Sequence, residues 1–376
     1  MSVSPGERIP LSGAERLARL RLIRSENVGP ATFHALLKRF GTASDALLHL
    51  PYLAAKGGTR RRITICPSEA AEAELTRLER FGARLLCHDE PGYPQALRAA
   101  DGAPPLLSVM GEPACLTKPG VAIVGSRNAS AAGHRLTRMF AGELGAAGYV
   151  VVSGLARGID TAAHEAALGS GTVGVFAGGL DRPYPPQNKP LMRRIVDEGG
   201  CLVTEMPFGW EPRAVDFPRR NRIVVGLSLA VLVVEASLRS GSLISARLGG
   251  ELGRLVFAVP GSPLEARSAG TNALLKDGAH LATETADLIQ ALDPMAHRPR
   301  SAAASAADLP VLEMDREADA GERERIIRAL GVAPVSIEDV AAHSGVEPSA
   351  VHLTLLELEL AGRLERQPGG RVLLLP

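Results

Sequence analysis

The run Val121-Ala-Ile-Val124, the turn Gly125-Ser-Arg-Asn-Ala-Ser130 and a helical pattern over residues 131–147 decide the fold of this chain. A short strand that is apolar throughout is typical of a parallel strand buried on both faces. The glycine at the start of the turn permits a tight bend into the helix. Strand, turn and helix in this order predict one unit of an α/β sheet that is covered by helices.

Outward from this segment, the same unit repeats through the middle of the chain. Further apolar runs follow at residues 149–152, 173–176, 201–204, 230–234 and 255–259. The helical patterns that separate them lie at residues 157–168, 189–198, 219–227 and 243–252. This alternation predicts the α/β class, with an extended Rossmann-like, doubly wound parallel sheet. The run Arg84-Leu-Leu-Cys87 predicts a further strand at one edge.

The two flanks differ from the middle and predict smaller domains. Residues 1–66 form a helical domain in which Val28-Gly29-Pro30 separates two helices, as in a helix-hairpin-helix element, and a packing role is favoured for this single turn. Residues 67–292 hold the sheet, and residues 293–321, rich in Ala, Ser and Pro, predict a linker. Residues 322–376 contain three helical patterns and a hairpin, the order of elements in a winged helix.

The charge balance limits how the protein can meet a polyanion. The 376 residues include 42 Lys and Arg against 41 Asp and Glu, a formal net charge of +1. A near-neutral total excludes wholesale electrostatic capture of nucleic acid. A site for a polyanion must therefore be a local patch.

Several other classes of protein are excluded by missing patterns. Cys66, Cys87, Cys115 and Cys201 have no paired spacing, which fits a reduced cytoplasmic protein without a disulfide framework or zinc site. The histidines include no H-E-x-x-H pair, so we expect no metal centre. The most apolar stretch, residues 223–236, is shorter than the roughly 18 residues that a membrane span needs. The G-x-G-x-x-G spacing is absent, so we expect no nicotinamide site and no cofactor.

The loops that follow the predicted strands contain the candidate binding residues, because ligands of such sheets bind beyond the carboxyl ends of the strands. Gly125, Ser126 and Arg127 follow the first strand and open a helix. Amides at a helix start, aided by the helix dipole, favour an anion, and a guanidinium adds a bidentate phosphate donor. This loop predicts a phosphate contact.

The loop after the second strand combines a small-residue turn with two titratable side chains. Ser153, Gly154 and Arg157 are followed by Asp160, with His164 four residues further on. On a helix the last two share a face, so that the carboxylate would orient the imidazole. We interpret them as a supporting polar cluster rather than as a catalytic pair.

A third loop, after the fourth strand, places an aromatic ring directly ahead of a cluster of cations. Phe217 precedes Arg219, Arg220, Asn221 and Arg222 around the start of a helix. Arg219 and Arg222, three residues apart, are expected on one helical face, with Arg220 and Asn221 fanning outward. Three arginines at a helix N-terminus oppose the helix dipole, which a bound anion would explain. Guanidinium groups that follow phosphates and a ring that stacks on a base suit single-stranded nucleic acid.

The fifth strand is followed by Glu235 and by Ser240, Gly241 and Ser242, another small-residue turn into a helix. One such turn is weak evidence of a site. Several turns of this kind at one sheet edge, with arginines nearby, predict a groove for a phosphorylated or polyanionic ligand. Glu235 completes the supporting polar cluster.

In this order, the motifs resemble those of the bacterial DNA-processing protein A family, also called DprA or Smf. The resemblance spans nearly the whole chain and is strongest at residues 93–94, 121–127, 153–160, 217–222, 233–236, 240–242 and 259–261. It implies a Rossmann-like core that binds single-stranded DNA and forms a homodimer, flanked by a SAM-like N-terminal domain and a winged helix. It also implies a partner, the RecA recombinase, which members load on incoming strands during natural transformation. The DNA contacts that it implies are Gly125, Ser126, Arg127, Phe217, Arg219, Asn221 and Arg222.

Two other functions stay open at this point. The same loops resemble those of Rossmann-like nucleotide phosphoribohydrolases, in which Asp160, His164 and Glu235 would serve acid–base roles. A nucleotide sensor that acts through its winged helix is the third alternative. Because the arginines are spread over several loops, an extended polymer is the favoured ligand, and we expect a DNA-binding protein rather than an enzyme.

The winged helix departs from the pattern of a DNA reader. Its candidate recognition helix, residues 348–361, contains no Lys or Arg and includes Glu357 and Glu359. Backbone phosphates would repel such a helix. We therefore expect it to bind protein or another part of the chain.

Overall fold

The computed structural model describes residues 10–59, 61–100, 102–296, 316–367 and 370–375. These residues form two compact units. The central unit takes residue 10 and residues 74–296. The terminal unit takes the described residues between 11 and 73 and between 316 and 375, so that it joins the two flanks of the chain.

Helices and strands alternate along the central unit, and the terminal unit is mostly helical. The helices of the described residues are α1 Gly13–Arg24, α2 Pro30–Phe40, α3 Ala43–Lys56, α4 Ser68–Arg80, α5 Gln95–Arg98, α6 Ala131–Ala146, α7 Ile159–Ala167, α8 Lys189–Asp197, α9 Asp216–Gly226, α10 Ser242–Glu251, α11 Ala269–Lys276, α12 Thr285–Ala296, α13 Ala320–Ala329, α14 Ile337–Ser344 and α15 Pro348–Leu360. The strands are β1 Ala83–Cys87, β2 Leu106–Gly111, β3 Gly120–Val124, β4 Val150–Ser153, β5 Thr172–Val175, β6 Cys201–Thr204, β7 Ala230–Val233, β8 Leu255–Ala258, β9 His280–Leu281, β10 Val335–Ser336, β11 Leu364–Gln367 and β12 Arg371–Leu374. No helix among the described residues has the length and apolar character that a membrane span needs.

One sheet runs through the central unit in the order β1-β2-β6-β5-β4-β3-β7-β8-β9. The strands from β6 to β9 pair in parallel, whereas β1 and β2 add antiparallel pairs at one edge. The predicted α/β class is confirmed, since all six apolar runs form the predicted strands and residues 84–87 lie in the edge strand. The strands β2 and β9 are not among the sequence predictions.

The core explains why the strands are apolar throughout. Successive residues of a strand point to opposite faces of the sheet. In β3, Ala122 and Val124 pack in one core with Ile223 of α9, whereas Val121 and Ile123 pack in the other with helices α6 and α7. Every residue of β3 is buried, because helices cover both faces of the strand.

The order of the strands sets the position of a crevice. From β3 the chain continues to β4, β5 and β6 on one side and then crosses to β7, β8 and β9 on the other. Where neighbouring strands lead to connections on opposite sides, their loops separate beyond the carboxyl ends of the strands. The crevice therefore opens at the ends of β3, β4 and β7.

In the terminal unit, the helix α15 joins the two flanks of the chain into one core. Leu353, Leu356 and Leu360 lie in the same apolar cluster as Leu36 of α2 and Leu50 of α3. The opposite face of α15 belongs to the core of the winged helix, together with helices α13 and α14. The helix thus contacts another part of the chain, which is one of the two outcomes expected for it.

Polar contacts support this packing. Glu357, buried on α15, forms an ion pair with Arg323, which also donates a 2.6 Å hydrogen bond to the carbonyl of Lys56. The side chain of Asn27, in the turn between α1 and α2, donates to the carbonyl of Leu360 at 3.0 Å. The predicted hairpin turn is therefore a packing element that meets the end of α15.

The predicted linker, residues 293–321, is wrong at both ends. Helix α12 continues to Ala296, and the hydroxyl of Tyr149 donates to Asp293 Oδ1 at 2.9 Å. At the other end, Asp319 caps α13, which begins at Ala320. Residues 297–315 of the predicted linker lie outside the described residues.

Replacement of Leu356 by alanine should loosen the first three helices, although they lie some 300 positions away in sequence. A buried leucine truncated to alanine costs about 2–5 kcal/mol of unfolding free energy, because apolar contacts are lost and a cavity remains. We expect faster hydrogen exchange at amides of α1, α2 and α3, measured by mass spectrometry. In the matched control Leu48→Ala, an exposed leucine of α3 is truncated and exchange should stay unchanged. Unaltered exchange in α1–α3 of the Leu356 variant would contradict the shared core.

Candidate nucleic-acid interface

A groove of about 850 Å³ lies at the crevice between the carboxyl ends of the strands, and we call it the switch-point groove. A side cleft of about 240 Å³ shares residues with it and is bounded by residues 184–187. The residues predicted from the sequence that line one or both are Gly125, Ser126, Arg127, Gly154, Arg157, Asp160, Phe217, Arg220, Asn221, Ser240, Gly241 and Ser242. Loops from five separate stretches of the sequence thus converge on one site.

The groove contains aromatic rings beside a cation. The guanidinium carbon of Arg127 lies 5.7 Å from the centre of the Phe217 ring, within the range of a cation–π contact. The ring of Tyr184 meets Phe217 edge-on, with centroids 5.3 Å apart. Phe217 and Arg127, predicted from separate loops, are therefore neighbours.

Positive charge exceeds negative charge on the walls of the groove and cleft. Arg127 and Arg157 are exposed, and neither has a carboxylate partner within the described residues. Arg220 is a third guanidinium, and Asp160 is the one carboxylate among the described lining residues. A pair of free guanidinium groups at one rim is suited to the phosphates of a polyanion.

The loop between β4 and α7, which places Arg157 at the rim, is held from three sides. Asp160 Oδ2 accepts hydrogen bonds from the amides of Gly154 at 3.1 Å and Ala156 at 3.3 Å. The side chain of Asn188 donates to the carbonyl of Leu155 at 2.8 Å. From below, the guanidinium of Arg220 donates to the carbonyl of Gly154.

Arg220 is buried and joins two strand ends by hydrogen bonds. The prediction that its side chain faces outward is therefore wrong. Its Nη1 also donates to the carbonyl of Val175 at the end of β5. A Cβ at Gly154 would lie 2.5 Å from that Nη1, so this close approach requires glycine. Burial lowers the pKa of Arg220 to about 10, and the nearby Asp160 opposes that shift. The guanidinium stays charged at neutral pH and contributes positive potential to the floor of the groove.

Helix α9 begins earlier than predicted, and its N-terminus already has an anion. Asp216 is its first residue and is fully buried. Its Oδ2 accepts hydrogen bonds from Trp210 Nε1 at 2.9 Å and from the amide of Arg213 at 2.8 Å. Asp216 already places a carboxylate in the first turn of α9, so the arginines that follow do not by themselves require a bound anion at this helix start.

Two of the predicted strand-binding arginines do not line the groove. Arg222 forms an ion pair with Glu205 and donates to the carbonyl of Gly102. Arg219 is exposed but lies outside the lining of the groove and cleft. The helical face predicted for these two arginines is therefore not the face that meets the groove. Asn221, which lies between them in sequence, does line the groove.

Two candidates, the last residue of β4 and one in α7, lie in the core instead of the groove. Ser153 is fully buried and its hydroxyl donates to the carbonyl of Ile123 at 2.6 Å, so it does not meet a ligand. His164 is also fully buried, and its Nδ1 lies 2.8 Å from Thr172 Oγ1. The predicted orientation of this imidazole by Asp160 is wrong.

The protonation of His164 follows from its surroundings. The hydroxyl of Thr172 donates to the carbonyl of Val151 at 2.7 Å, so it accepts from the imidazole, whose proton is then on Nδ1. Burial, with the positive charge of Arg220 nearby, lowers the pKa of His164 to about 3. The ring is neutral throughout the physiological range.

Glu235 is hydrogen-bonded to Ser130, the N-cap residue of helix α6. Its carboxylate accepts from the amide of Ser130 at 2.9 Å and from the hydroxyl of the same residue. That hydroxyl accepts in turn from the amide of Gly133 at 2.9 Å. The helix start after Arg127 is therefore capped by side chains of the chain itself, which corrects the prediction that its amides are free for an anion.

The start of α10 is different. It begins at Ser242 in the wall of the groove, and its first turn contains no acidic residue. The hydroxyls of Ser240 and Ser242 lie 2.6 Å apart and bond to each other, and Ser240 Oγ also accepts from the amide of Ser242 at 3.4 Å. The positive end of the helix dipole, with no acidic residue in the first turn, favours an anion in the groove.

The acid–base groups required by the enzyme alternative do not converge. His164 has no exposed surface, and Glu235 is engaged at the start of α6. Asp160 lines the groove, but its carboxylate accepts from two backbone amides. A general acid and base need to reach one substrate together, which these three side chains do not do.

Tyr184 and Asn188 belong to the site but are not among the sequence predictions. Both follow β5, whose loop does not pass directly into a helix and so lacks the turn pattern seen after the other strands. The signal in the sequence is Tyr184-Pro-Pro-Gln-Asn188, a turn rich in proline at a strand end.

Comparison with known families gives three matches in the order of the domains. Residues 13–76 match the DprA-like N-terminal HHH domain. Residues 84–293, more than half of the chain, match the family described as DNA recombination-mediator protein A. Residues 300–370 match the DprA winged helix domain.

Relatives and solved structures are similar over long stretches. The chain is 38% identical to Protein Smf of Escherichia coli K12 over 314 residues, which are 83% of each chain. The X-ray structure of DNA processing protein A from Streptococcus pneumoniae covers 76% of this chain and 98% of its own, at 33% identity and a TM-score of 0.61. The structure of DNA processing protein A from Helicobacter pylori, described for its single-stranded DNA binding mode, covers 57% of this chain and 96% of its own, at 32% identity and a TM-score of 0.52.

The buried imidazole of His164 predicts how the stability of the central unit depends on pH. Its pKa is about 3 in the folded protein against an ordinary 6.5, so the unfolded chain binds the extra proton between those values. The free energy of unfolding should therefore fall as the pH falls from 6.5 towards 3, by at most about 1.4 kcal/mol per pH unit from this residue. His164→Gln should flatten that dependence. Fluorescence of Trp210, the one tryptophan of the chain, follows the unfolding of the central unit.

The matched control is His280→Gln, at an exposed position of the same unit. It should keep the wild-type dependence on pH. If the His164 variant also kept the wild-type slope between pH 7 and pH 5, the assignment of a buried neutral imidazole would be wrong.

Proposed function

Because the chain belongs to the DNA recombination-mediator protein A family, we propose that its switch-point groove binds single-stranded DNA. The observation on which this depends is a pair of exposed guanidinium groups near the ring of Phe217, those of Arg127 and Arg157, for which the described part of the chain supplies no carboxylate partner. The guanidinium groups bind phosphates and the ring stacks on a base. We further propose that the protein acts without catalysis, in the cytoplasm.

Single strands fit this arrangement better than duplex DNA. The bases of a duplex stack on one another, and their faces are not available to a protein ring unless the helix is distorted. In a single strand, each base exposes a face that an aromatic side chain can cover. Tyr184 and Phe217 border the same cleft as Arg127, so that a ring contact and a phosphate contact lie within one nucleotide of each other.

The groove also explains how a protein of net charge +1 binds a polyanion. Within the described lining of the groove and cleft, three guanidinium groups face one carboxylate, which leaves a local excess of 3 − 1 = 2 positive charges. The start of α10, whose first turn contains no acidic residue, adds the positive end of a helix dipole. Binding should thus depend on local contacts and on the release of counterions from the strand.

We expect different effects when a cation and a ring are removed from the groove. Arg127→Ala should weaken binding to all sequences and make the plot of log affinity against log salt less steep by about 0.7 for one phosphate contact. Phe217→Ala should cost about 1–3 kcal/mol of binding free energy with the salt slope unchanged, because stacking releases no counterions. Filter binding of an unstructured oligonucleotide at several salt concentrations measures both.

Arg138→Ala is the control for these variants, since it removes an exposed arginine of α6 outside the groove. It should bind as the wild type does. Wild-type affinity of both groove variants would refute the proposed site, and so would strong binding of duplex DNA in preference to single strands.

A finer role completes the proposal. The protein, as a homodimer, loads the RecA recombinase on incoming single strands during natural transformation. Membership of a family of recombination mediators supports this role. The loading role requires that the protein binds single strands before the recombinase does.

The loading role predicts faster assembly of RecA on single strands that are already coated by a single-strand-binding protein. RecA turns over ATP when it is assembled on DNA, so the lag before steady ATP hydrolysis should shorten in the presence of this protein. The Arg127→Ala variant should leave the lag long, because it holds the strand weakly. An unchanged lag with the wild-type protein would contradict loading while leaving strand binding unaffected.

A further inference from the structure

We propose that a second groove of the central unit binds a short peptide segment of a partner protein, in which acidic residues accompany a large apolar side chain. This groove is lined by Phe81, by residues of helix α8 and by residues of strands β2 and β6, and we call it the α8 groove. Its volume is about 450 Å³. None of the described residues that line it also lines the switch-point groove or the side cleft, so the inference is independent of the proposed function.

The floor of the α8 groove is part of the apolar core. Met110 of β2 and Leu202 of β6 are partners in the antiparallel register, and both line the groove. Phe176 and Met192, which are buried in the same apolar cluster, line it as well. Core residues that open onto a groove offer apolar surface to a ligand or a partner. The volume of the groove lies within the range of about 300–1,000 Å³ that is typical of binding sites.

One wall of the groove leaves an aromatic ring partly uncovered. Phe81, which follows helix α4, is 41% exposed, although its ring meets that of Phe208 edge-on with centroids 5.4 Å apart. Large aromatic side chains contribute strongly to an interface when their exposed surface is buried. An apolar side chain that enters the groove would cover the ring of Phe81 together with the apolar floor, and the burial of this surface would favour binding.

Two cations of helix α8 stand beside this apolar surface. Lys189 and Arg193 are one turn apart, exposed and part of the lining, and the described part of the chain supplies no ion-pair partner for either. Of the two carboxylates in the described lining, that of Asp181 already accepts from the amide of Gly209 at 2.7 Å and pairs with Arg182 at 3.1 Å. The two cations are therefore left for a carboxylate of the partner.

The distribution of charge along α8 favours a peptide over a nucleic acid. The first turn of the helix contains Lys189 and no acidic residue, so the positive end of the helix dipole adds to the charge of that side chain. Asp197, the last residue of the helix, is exposed and lines the groove as well. A nucleic acid has a phosphate at every nucleotide and would be repelled by Asp197, whereas a peptide can have its acidic residues at the cationic end only.

The length of the helix limits the length of the peptide. The nine residues of α8 rise by about 12 Å in all. About four residues of an extended chain cover the same distance. A segment of this length holds one large apolar side chain in the groove and places an acidic residue beside Lys189 and Arg193.

The experiment selects peptides from a random phage-displayed library on the full-length protein and then measures their binding to variants by fluorescence anisotropy. The enriched peptides should combine a large apolar residue with Asp or Glu. Phe81→Ala and Arg193→Glu should each weaken their binding about 10-fold or more, because the first removes apolar contact area and the second replaces attraction by repulsion.

Arg194→Glu is the matched control, since it makes the same change of charge at the next residue of α8, which is exposed and does not line the groove. This variant should bind the peptides as the wild type does. Fluorescence of Trp210 checks that the central unit of each variant unfolds as in the wild type.

Three results would overturn the proposal. The first is that no peptides are enriched, that the enriched peptides are basic, or that Phe81→Ala and Arg193→Glu leave their binding unchanged. The second is weaker binding of single-stranded DNA by Arg193→Glu than by Arg194→Glu, which would place the α8 groove on the path of the strand. The third is an altered oligomeric state of Phe81→Ala in sedimentation, which would assign the groove to a contact between copies of this chain.

Discussion

The buried guanidinium of Arg220 is the interaction on which the candidate site depends. It bonds to the carbonyls of Gly154 and Val175, and so ties the carboxyl ends of β4 and β5 to helix α9. Asp160 lies close enough to stabilise its charge, and glycine at 154 makes the close approach possible. Because these bonds fix the floor of the groove, Arg127 and Arg157 stay at its rim beside the ring of Phe217, with no carboxylate partner among the described residues.

The sheet could be predicted from the sequence, but the packing of the N-terminal helices on the C-terminal helix α15 could not. Strands that are buried on both faces are mostly apolar, so six of them were predictable from their apolar runs. The strand β2 is antiparallel and includes the polar Ser108, and its surroundings are rich in proline, so no strand–helix alternation marks it. That α15 packs on α2 and α3 depends on residues some 300 positions apart, such as Leu356 and Leu36 of one apolar cluster, and no local pattern reveals it.

The site could be predicted in outline because parallel strands end at one edge of the sheet. That rule brings Gly125, Arg127 and Phe217 to a common groove. The roles of individual arginines were not predictable, because helical spacing tells which residues share a face but not which face turns inwards. Ile223 and Val224 direct α9 towards the core, so Arg220 lies under the groove and Arg222 meets Glu205 instead of a phosphate.

Photochemical cross-linking of a single strand tests the central claim most directly. An oligonucleotide that contains bromodeoxyuridine at successive positions would be bound to the protein, irradiated and mapped by mass spectrometry of the cross-linked peptides. A strand that lies in the switch-point groove should react with peptides that contain Tyr184 or Phe217, the accessible rings at its edge. Cross-links confined to the terminal unit, with none in those peptides, would contradict the assignment of the groove as the path of the strand.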